Sequence, residues 1–146
     1  MSMSNRATTT YLSAHTSVVQ KLLDHDVLPT PQRQIIAETL FAKPQHCTAE
    51  QLHDQIKANG YKVSKATIYN TLGLFAQKGL VRMIYADSST TFYDSNTSAH
   101  HHFFNTDSGE ISDIHENLIH SYLQDCLPAG TRLDSVDLVV RIRNKF

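Results

Sequence analysis

Cysteine is scarce in this chain: two residues in 146, Cys47 and Cys126, far apart and never in a CxxC pair. Neither a disulfide framework nor a cysteine-built zinc site can be assembled from them within one chain, and both read as small buried apolar residues. Long apolar runs are missing, and no basic leader precedes an apolar segment. Nothing is therefore set to span a membrane or direct export, and the expected location is the cytoplasm. An excess of charge of one sign is also absent, with 13 Lys and Arg against 14 Asp and Glu. What is present is an apolar fraction of 40%, enough for a globular protein with a buried core in one ordinary domain or two small ones.

The balanced total hides a division. Residues 1–85 carry nine Lys and Arg against five Asp and Glu, whereas residues 86–146 carry four against nine. A basic first part suits phosphates and an acidic second part suits cations, although random drift on a solvated surface gives the same totals.

The first part reads as a winged helix-turn-helix. Leu12, Val18, Val19, Leu22 and Leu23 space an amphipathic helix ending near Asp24–Asp26. Thr30 then caps a second helix with Pro31 at its first position, Ile35, Ile36 and Leu40 on its buried face, and Pro44 beyond its end. Thr48 and Gln51 fit a capping box before Leu52 and Ile56, with Asn59-Gly60 as the stop. Ser64 opens a fourth helix with Ile68, Leu72 and Phe75 along one stripe, closed by Gly79. Residues 80–85 and 90–93 read as two strands around the turn Asp87-Ser88-Ser89. Short helices followed by a hairpin make the helix from Ser64 a recognition helix for the DNA major groove. On it Asn70 can read a base edge and Tyr69 a thymine methyl or a phosphate, while Arg33, Lys65 and Thr67 can hold phosphates. Tyr69 fits the core equally well.

The stretch from Asp94 through His100-His101-His102, followed by Asp113, gathers metal-ligand types. In a strand His100 and His102 share one face and His101 takes the other. A hairpin from His100 to Asn105, turning at 106–109 and returning from Glu110 to Ile114, brings Asp113 within one residue of His102. Imidazoles with carboxylates suit Fe(II), Mn(II) or Zn(II) better than Ca(II), which takes oxygen alone. A short histidine run is also what a solvated loop contains. Beyond it lie a helix from His115 to Leu127 and a buried strand from Leu133 to Arg143.

From Leu28 to about Val140 the chain resembles the ferric uptake regulator (Fur) family of dimeric bacterial repressors. Thr30-Pro31-Gln32-Arg33, His46-Cys47-Thr48-Ala49-Glu50, Ala66–Leu72, Gly79-Leu80-Val81 and the Asp94–Asp113 segment carry the likeness. The run Tyr93–Ser98 into His100–Phe104 is similar to the iron response regulator (Irr) branch, which senses haem status. The resemblance implies an α+β fold with a winged-helix DNA-binding domain over 1–94 and a small α/β dimerisation and metal-sensing domain over 95–146. It implies a metal-responsive homodimeric repressor on a palindromic operator, with His46, Asp94, His100, His102 and Asp113 as ligands of an ion held between the domains. A looser match sets His101, His120 and Asp137 as a second metal site, or His101 as a haem ligand. Many relatives carry a structural zinc on two cysteine pairs; Asn105 and Ser108 stand at the first pair's positions, and the tail from Arg141 has no cysteine. Two other readings of the histidines and carboxylates exist: a non-haem metalloenzyme, and a metal-independent winged-helix repressor. The first requires a general base or nucleophile that the sequence does not single out, and leaves the helix-turn-helix unexplained.

Overall fold

The computed structural model describes residues 17–114 and 118–146, and the chain divides into two units. One runs up to Ile84 and includes Thr90–Thr97; the other combines Tyr85–Ser89 with Ser98–Phe146.

The first unit contains α1 (residues 17–24), α2 (Pro31–Phe41), β1 (His46–Cys47), α3 (Ala49–Ala58), α4 (Lys65–Gln77), β2 (Arg82–Tyr85) and β3 (Thr91–Asp94). Its helices begin where the sequence places caps. Thr30 accepts from the Arg33 N–H, and Ser64 from the Thr67 N–H at 3.2 Å. At α3 the box is complete: Thr48 Oγ1 accepts from the Gln51 N–H at 3.1 Å and Gln51 Oε1 from the Thr48 N–H at 3.0 Å. Each such cap contributes about 1 kcal/mol by satisfying an N–H that the helix leaves orphaned. Gly60 and Gly79 end α3 and α4 at φ 86° and 77°, where a Cβ would be strained.

Leu22, Ile36, Leu40, Leu52, Ile56, Ile68, Leu72 and Phe75 are fully buried and form the core of this unit. Burial of a side chain of this size stabilises by about 1.5–3 kcal/mol. Leu23 differs from its expected place on the first stripe: it is 49% exposed, because Leu22 takes the inward position and its neighbour points roughly 100° away. Leu12 lies outside the described residues.

The strand β1 was not expected. It occupies the two residues ahead of the Thr48 cap and pairs antiparallel with β3, His46 opposite Asp94 and Cys47 opposite Tyr93, in a sheet ordered β1-β3-β2. Two helices joined by a tight turn, then a hairpin whose sheet recruits a strand from ahead of them, make this unit a winged helix-turn-helix.

The second unit contains β4 (His101–Asn105), β5 (Ile111–Ile114), α5 (Leu118–Gln124) and β6 (Val139–Ile142), with the strands ordered β5-β4-β6. The β4–β5 pair is antiparallel with His102 directly opposite Asp113, and β6 runs parallel to β4. A parallel neighbour needs a crossover, and the segment carrying α5 supplies it. The last strand starts at Val139 rather than Leu133. The ladder stops there because the Leu138 N–H turns to the His101 ring, donating to Nδ1 at 3.3 Å, while Leu138 O still accepts from the His102 N–H at 3.1 Å. Of the helix expected from His115, residues 118–124 are helical, and His115 lies outside the described residues.

The β4–β5 turn is fastened to the end of β6 by hydrogen bonds. Asn105 Nδ2 donates to Asn144 Oδ1 at 2.7 Å, the Thr106 N–H to Ile142 O at 2.9 Å, and the Asn144 N–H to Asp107 Oδ2 at 3.0 Å. Arg143 pairs with Asp107 at 3.3 Å. Asn105 Oδ1 also closes the turn by accepting from the N–H groups of Asp107 and Ser108. No helix among the described residues is long and apolar enough to cross a membrane.

Candidate metal centre and DNA-reading helix

Two sets of candidate ligands are built by the same device, a histidine facing an aspartate across an antiparallel strand pair. In the first unit the β1–β3 register sets His46 Nε2 3.3 Å from Asp94 Oδ2. Asp94 is 2% exposed, and its other oxygen accepts from the Asn96 N–H at 2.8 Å, an Asx turn that fixes the carboxylate. In the second unit Asp113 Oδ1 lies 3.4 Å from His102 Nε2 and 3.3 Å from His100 Nε2. The two imidazole rings are tilted at 60° with centroids 4.5 Å apart.

These separations are those of neighbouring ligands around one ion. Donors about 2.0–2.2 Å from a first-row divalent cation stand roughly 3.0–3.4 Å apart at angles between octahedral and tetrahedral. His100 Nδ1 lies 2.7 Å from Ser98 O, and a carbonyl only accepts, so that nitrogen carries the proton and Nε2 keeps its lone pair for a cation. The donor set thus fits Fe(II), Mn(II) or Zn(II).

Strand alternation turns the neighbouring residues away. Cys47 is buried in the core, where burial first and the Asp94 charge second push its thiol up to about 11, so it stays protonated near neutrality and offers no thiolate. His101, on the opposite face to His102, is buried, and its Nδ1 accepts from the Leu138 N–H at 3.3 Å. The structure does not gather His101, His120 and Asp137 into a metal-holding group; His120 and Asp137 are exposed.

On α4 the exposed face carries Lys65, Tyr69 and Asn70, with Thr67 half-buried. Tyr69 is 46% exposed, so of its two readings the core one is excluded. Its hydroxyl donates to the Glu50 carboxylate on α3, which lowers the Glu50 pKa and raises that of Tyr69. Thr67 Oγ1 accepts from the Ser64 hydroxyl at 2.9 Å, and Arg33 donates to Leu28 O at 2.9 Å, so both take part in local structure. Sequence reasoning missed Glu50 as a partner of Tyr69, and missed Gln45 and Ser95 beside the first ligand pair. Only Asp94-Ser95-Asn96 carried a local signal, that of an Asx turn.

Helix-turn-helix, wing and cation-suited His/Asp pairs together define a winged-helix DNA-binding regulator. The model of the ferric uptake regulator family matches residues 25–141, and the chain belongs to that family. It is similar to the peroxide-responsive repressor PerR of Staphylococcus saprophyticus, 37% identical over 98 residues that span 66% of this chain and 66% of that relative. The match thus covers just under two thirds of the relative's length. Among solved structures, the ferric uptake regulator of Pseudomonas aeruginosa with manganese superposes at a TM-score of 0.74 with 25% identity, over 88% of this chain and 98% of that one. The Vibrio cholerae ferric uptake regulator gives 0.76 with 24% identity, over 86% and 98%, and so shares the fold. The family and the relatives matched are named as regulators and repressors. The likeness to the iron response regulator branch rests on the Tyr93–Phe104 stretch and the missing cysteine pairs, and is an expectation of the sequence.

Proposed function

We propose that the chain is a metal-responsive transcriptional repressor that binds a palindromic double-stranded DNA operator as a homodimer in the cytoplasm. His46, Asp94, His100, His102 and Asp113 supply the ligands of its regulatory ion. The observation that carries this reading is the ligand-like spacing, 3.3–3.4 Å, inside each of the two His/Asp sets. The first unit offers two donors and the second three, each short of the four to six that Zn(II), Fe(II) or Mn(II) takes, while five together suffice. An ion that draws ligands from both units binds best in the arrangement that serves both, so ligation selects among arrangements by its differential affinity. Which of Fe(II), Mn(II) and Zn(II) acts depends on availability more than on these donors.

DNA reading falls to the first unit, with Tyr69 and Asn70 at bases and Arg33, Lys65 and Thr67 at phosphates. Pairing falls to the second. Among its described residues only Ala86 and Phe104 are buried apolar side chains, while Tyr122 is 70% and Ile142 39% exposed. A unit this small with so little core gains from burying its apolar surface against a second copy. Two-fold symmetry then sets recognition helices about 34–36 Å apart, one DNA turn. A second ion or haem at His101 receives less support, because that ring is buried and engaged by Leu138.

The test is a gel shift on a DNA fragment selected from a random pool by the wild-type protein, with Mn(II) or with chelator. Metal-dependent, sequence-selective binding is expected for the wild type, and loss of the dependence for His102→Ala. Equal affinity for scrambled DNA rejects the operator reading. Binding that ignores Mn(II), Fe(II) and Zn(II) alike leaves the metal-independent repressor.

A further inference from the structure

We infer that Gln45 is a positioning residue that ties the His46–Asp94 ligand pair to the helices of the DNA-binding unit, so that the state of the metal reaches α2 and α3 through its side-chain amide. The inference rests on the reading that His46 and Asp94 are ligands and that the ion governs DNA affinity.

Gln45 directly precedes His46, and Ser95 directly follows Asp94. These two residues extend the β1–β3 ladder one step past the ligands. The Ser95 N–H donates to Gln45 O at 3.2 Å, and the Gln45 N–H donates to Ser95 Oγ at 3.1 Å. The Ser95 hydroxyl in turn donates to Gln45 O at 3.4 Å. A change in the distance between His46 and Asp94 therefore acts on Gln45 through both strands.

The side chain of Gln45 leaves the ladder for the helices. Its Nε2 donates to Thr39 O at 3.2 Å and Leu40 O at 3.0 Å, carbonyls of the last turn of α2 that no helical N–H reaches. Its Oε1 accepts from Gln55 Nε2 at 2.9 Å, in the middle of α3. Both N–H groups of the amide thus meet acceptors and its oxygen meets a donor, which fixes the orientation of the group. One half-buried side chain joins the end of α2, the centre of α3 and the ligand-bearing strand. Leu52 and Ile56 of α3 share the core with Ile68, Leu72 and Phe75 of α4, so a displacement of α3 moves the DNA-reading helix with it.

The experiment uses the full chain and the same selected DNA fragment. Mn(II) affinity is measured by calorimetry, DNA affinity with Mn(II) and with chelator, and amide exchange with and without Mn(II). In the wild type, Mn(II) should protect the end of α2 and the middle of α3 as well as β1 and β3. In Gln45→Ala the Mn(II) affinity should hold within a few-fold, protection should shrink to β1 and β3, and the Mn(II) effect on DNA affinity should fall by roughly 2- to 30-fold. Gln55→Leu, which leaves the α2 bonds in place, should move in the same direction by less, and it decides the matter if Gln45→Ala does not fold. Variants that keep the wild-type Mn(II) effect and the wild-type protection pattern overturn the inference while leaving the proposed function standing. A wild type whose DNA affinity ignores Mn(II) rejects both.

Discussion

Asp113 and His102 are direct partners across the β4–β5 pair, with Oδ1 3.4 Å from Nε2. His46 and Asp94 repeat the relation across β1–β3 at 3.3 Å. Cross-strand partners are held by backbone hydrogen bonds on both sides, so neither pair depends on a flexible loop for its spacing.

Asp113→Asn removes the charge but keeps the shape of the carboxylate that faces both His100 and His102. We expect Mn(II) affinity, read by calorimetry, to fall by more than the roughly 10- to 100-fold that loss of an outer-sphere partner costs. An unchanged isotherm excludes Asp113 as a ligand.

Protons and cations compete for the same imidazole nitrogens. Metal affinity should therefore decline as pH falls and the ligand nitrogens take up protons. A titration from pH 8 to pH 5, in steps of roughly half a unit, reads this directly.

Cys47 gives the fold a second, separate pH dependence. Its thiol rises from 9.0 to about 11 on folding, so the unfolded chain releases the proton first as pH increases. The contribution is fully present below pH 9 and is lost on the way to pH 11, by at most roughly 2–3 kcal/mol. The stability difference between wild type and Cys47→Ala should narrow over that interval in urea unfolding at successive pH values. A thiol reagent near neutrality should label exposed Cys126 and spare Cys47.

Under the proposed function, Lys65 and Asn70 would make two different kinds of DNA contact. Lys65→Ala should weaken all DNA sequences alike and reduce the salt slope by about one. Asn70→Ala should cost about 1–3 kcal/mol on the selected fragment and little on scrambled DNA. Binding isotherms at several salt concentrations distinguish the two.

Asn105→Ala removes the side chain that closes the β4–β5 turn and reaches Asn144. Net hydrogen-bond values of about 0.5–1.5 kcal/mol each predict a fall in Tm of several degrees. Arg143→Ala should matter less, because Arg143 is 79% exposed and such ion pairs contribute about 0–1 kcal/mol.

What was legible in the sequence is what short-range physics dictates. Thr30-Pro31, the Thr48/Gln51 box and Ser64 mark helix starts because caps act within one turn, and alternation alone puts His100 and His102 on one face. The strand β1 was not legible: two residues carry no period, and its existence depends on a partner about 48 positions later in the chain. For the same reason the start of β6 at Val139 was not legible, since it depends on Leu138 meeting the side chain of His101, about 37 positions earlier. Gln45 with Gln55, and Tyr69 with Glu50, are pairs between elements that no local pattern announces.

The hydrogen-bonded fastening of the β4–β5 turn to the end of β6 has a chemical consequence. Where a zinc held by thiolates keeps such a module closed, an oxidant can pry it open by converting sulfur to disulfide and ejecting the ion. Amide and carboxylate groups offer no such chemistry. Reactive oxygen finds no thiolate latch to attack at this turn, so its closure is indifferent to the redox state of its surroundings, and the oxidisable thiol of the unit, exposed Cys126, stands apart from it.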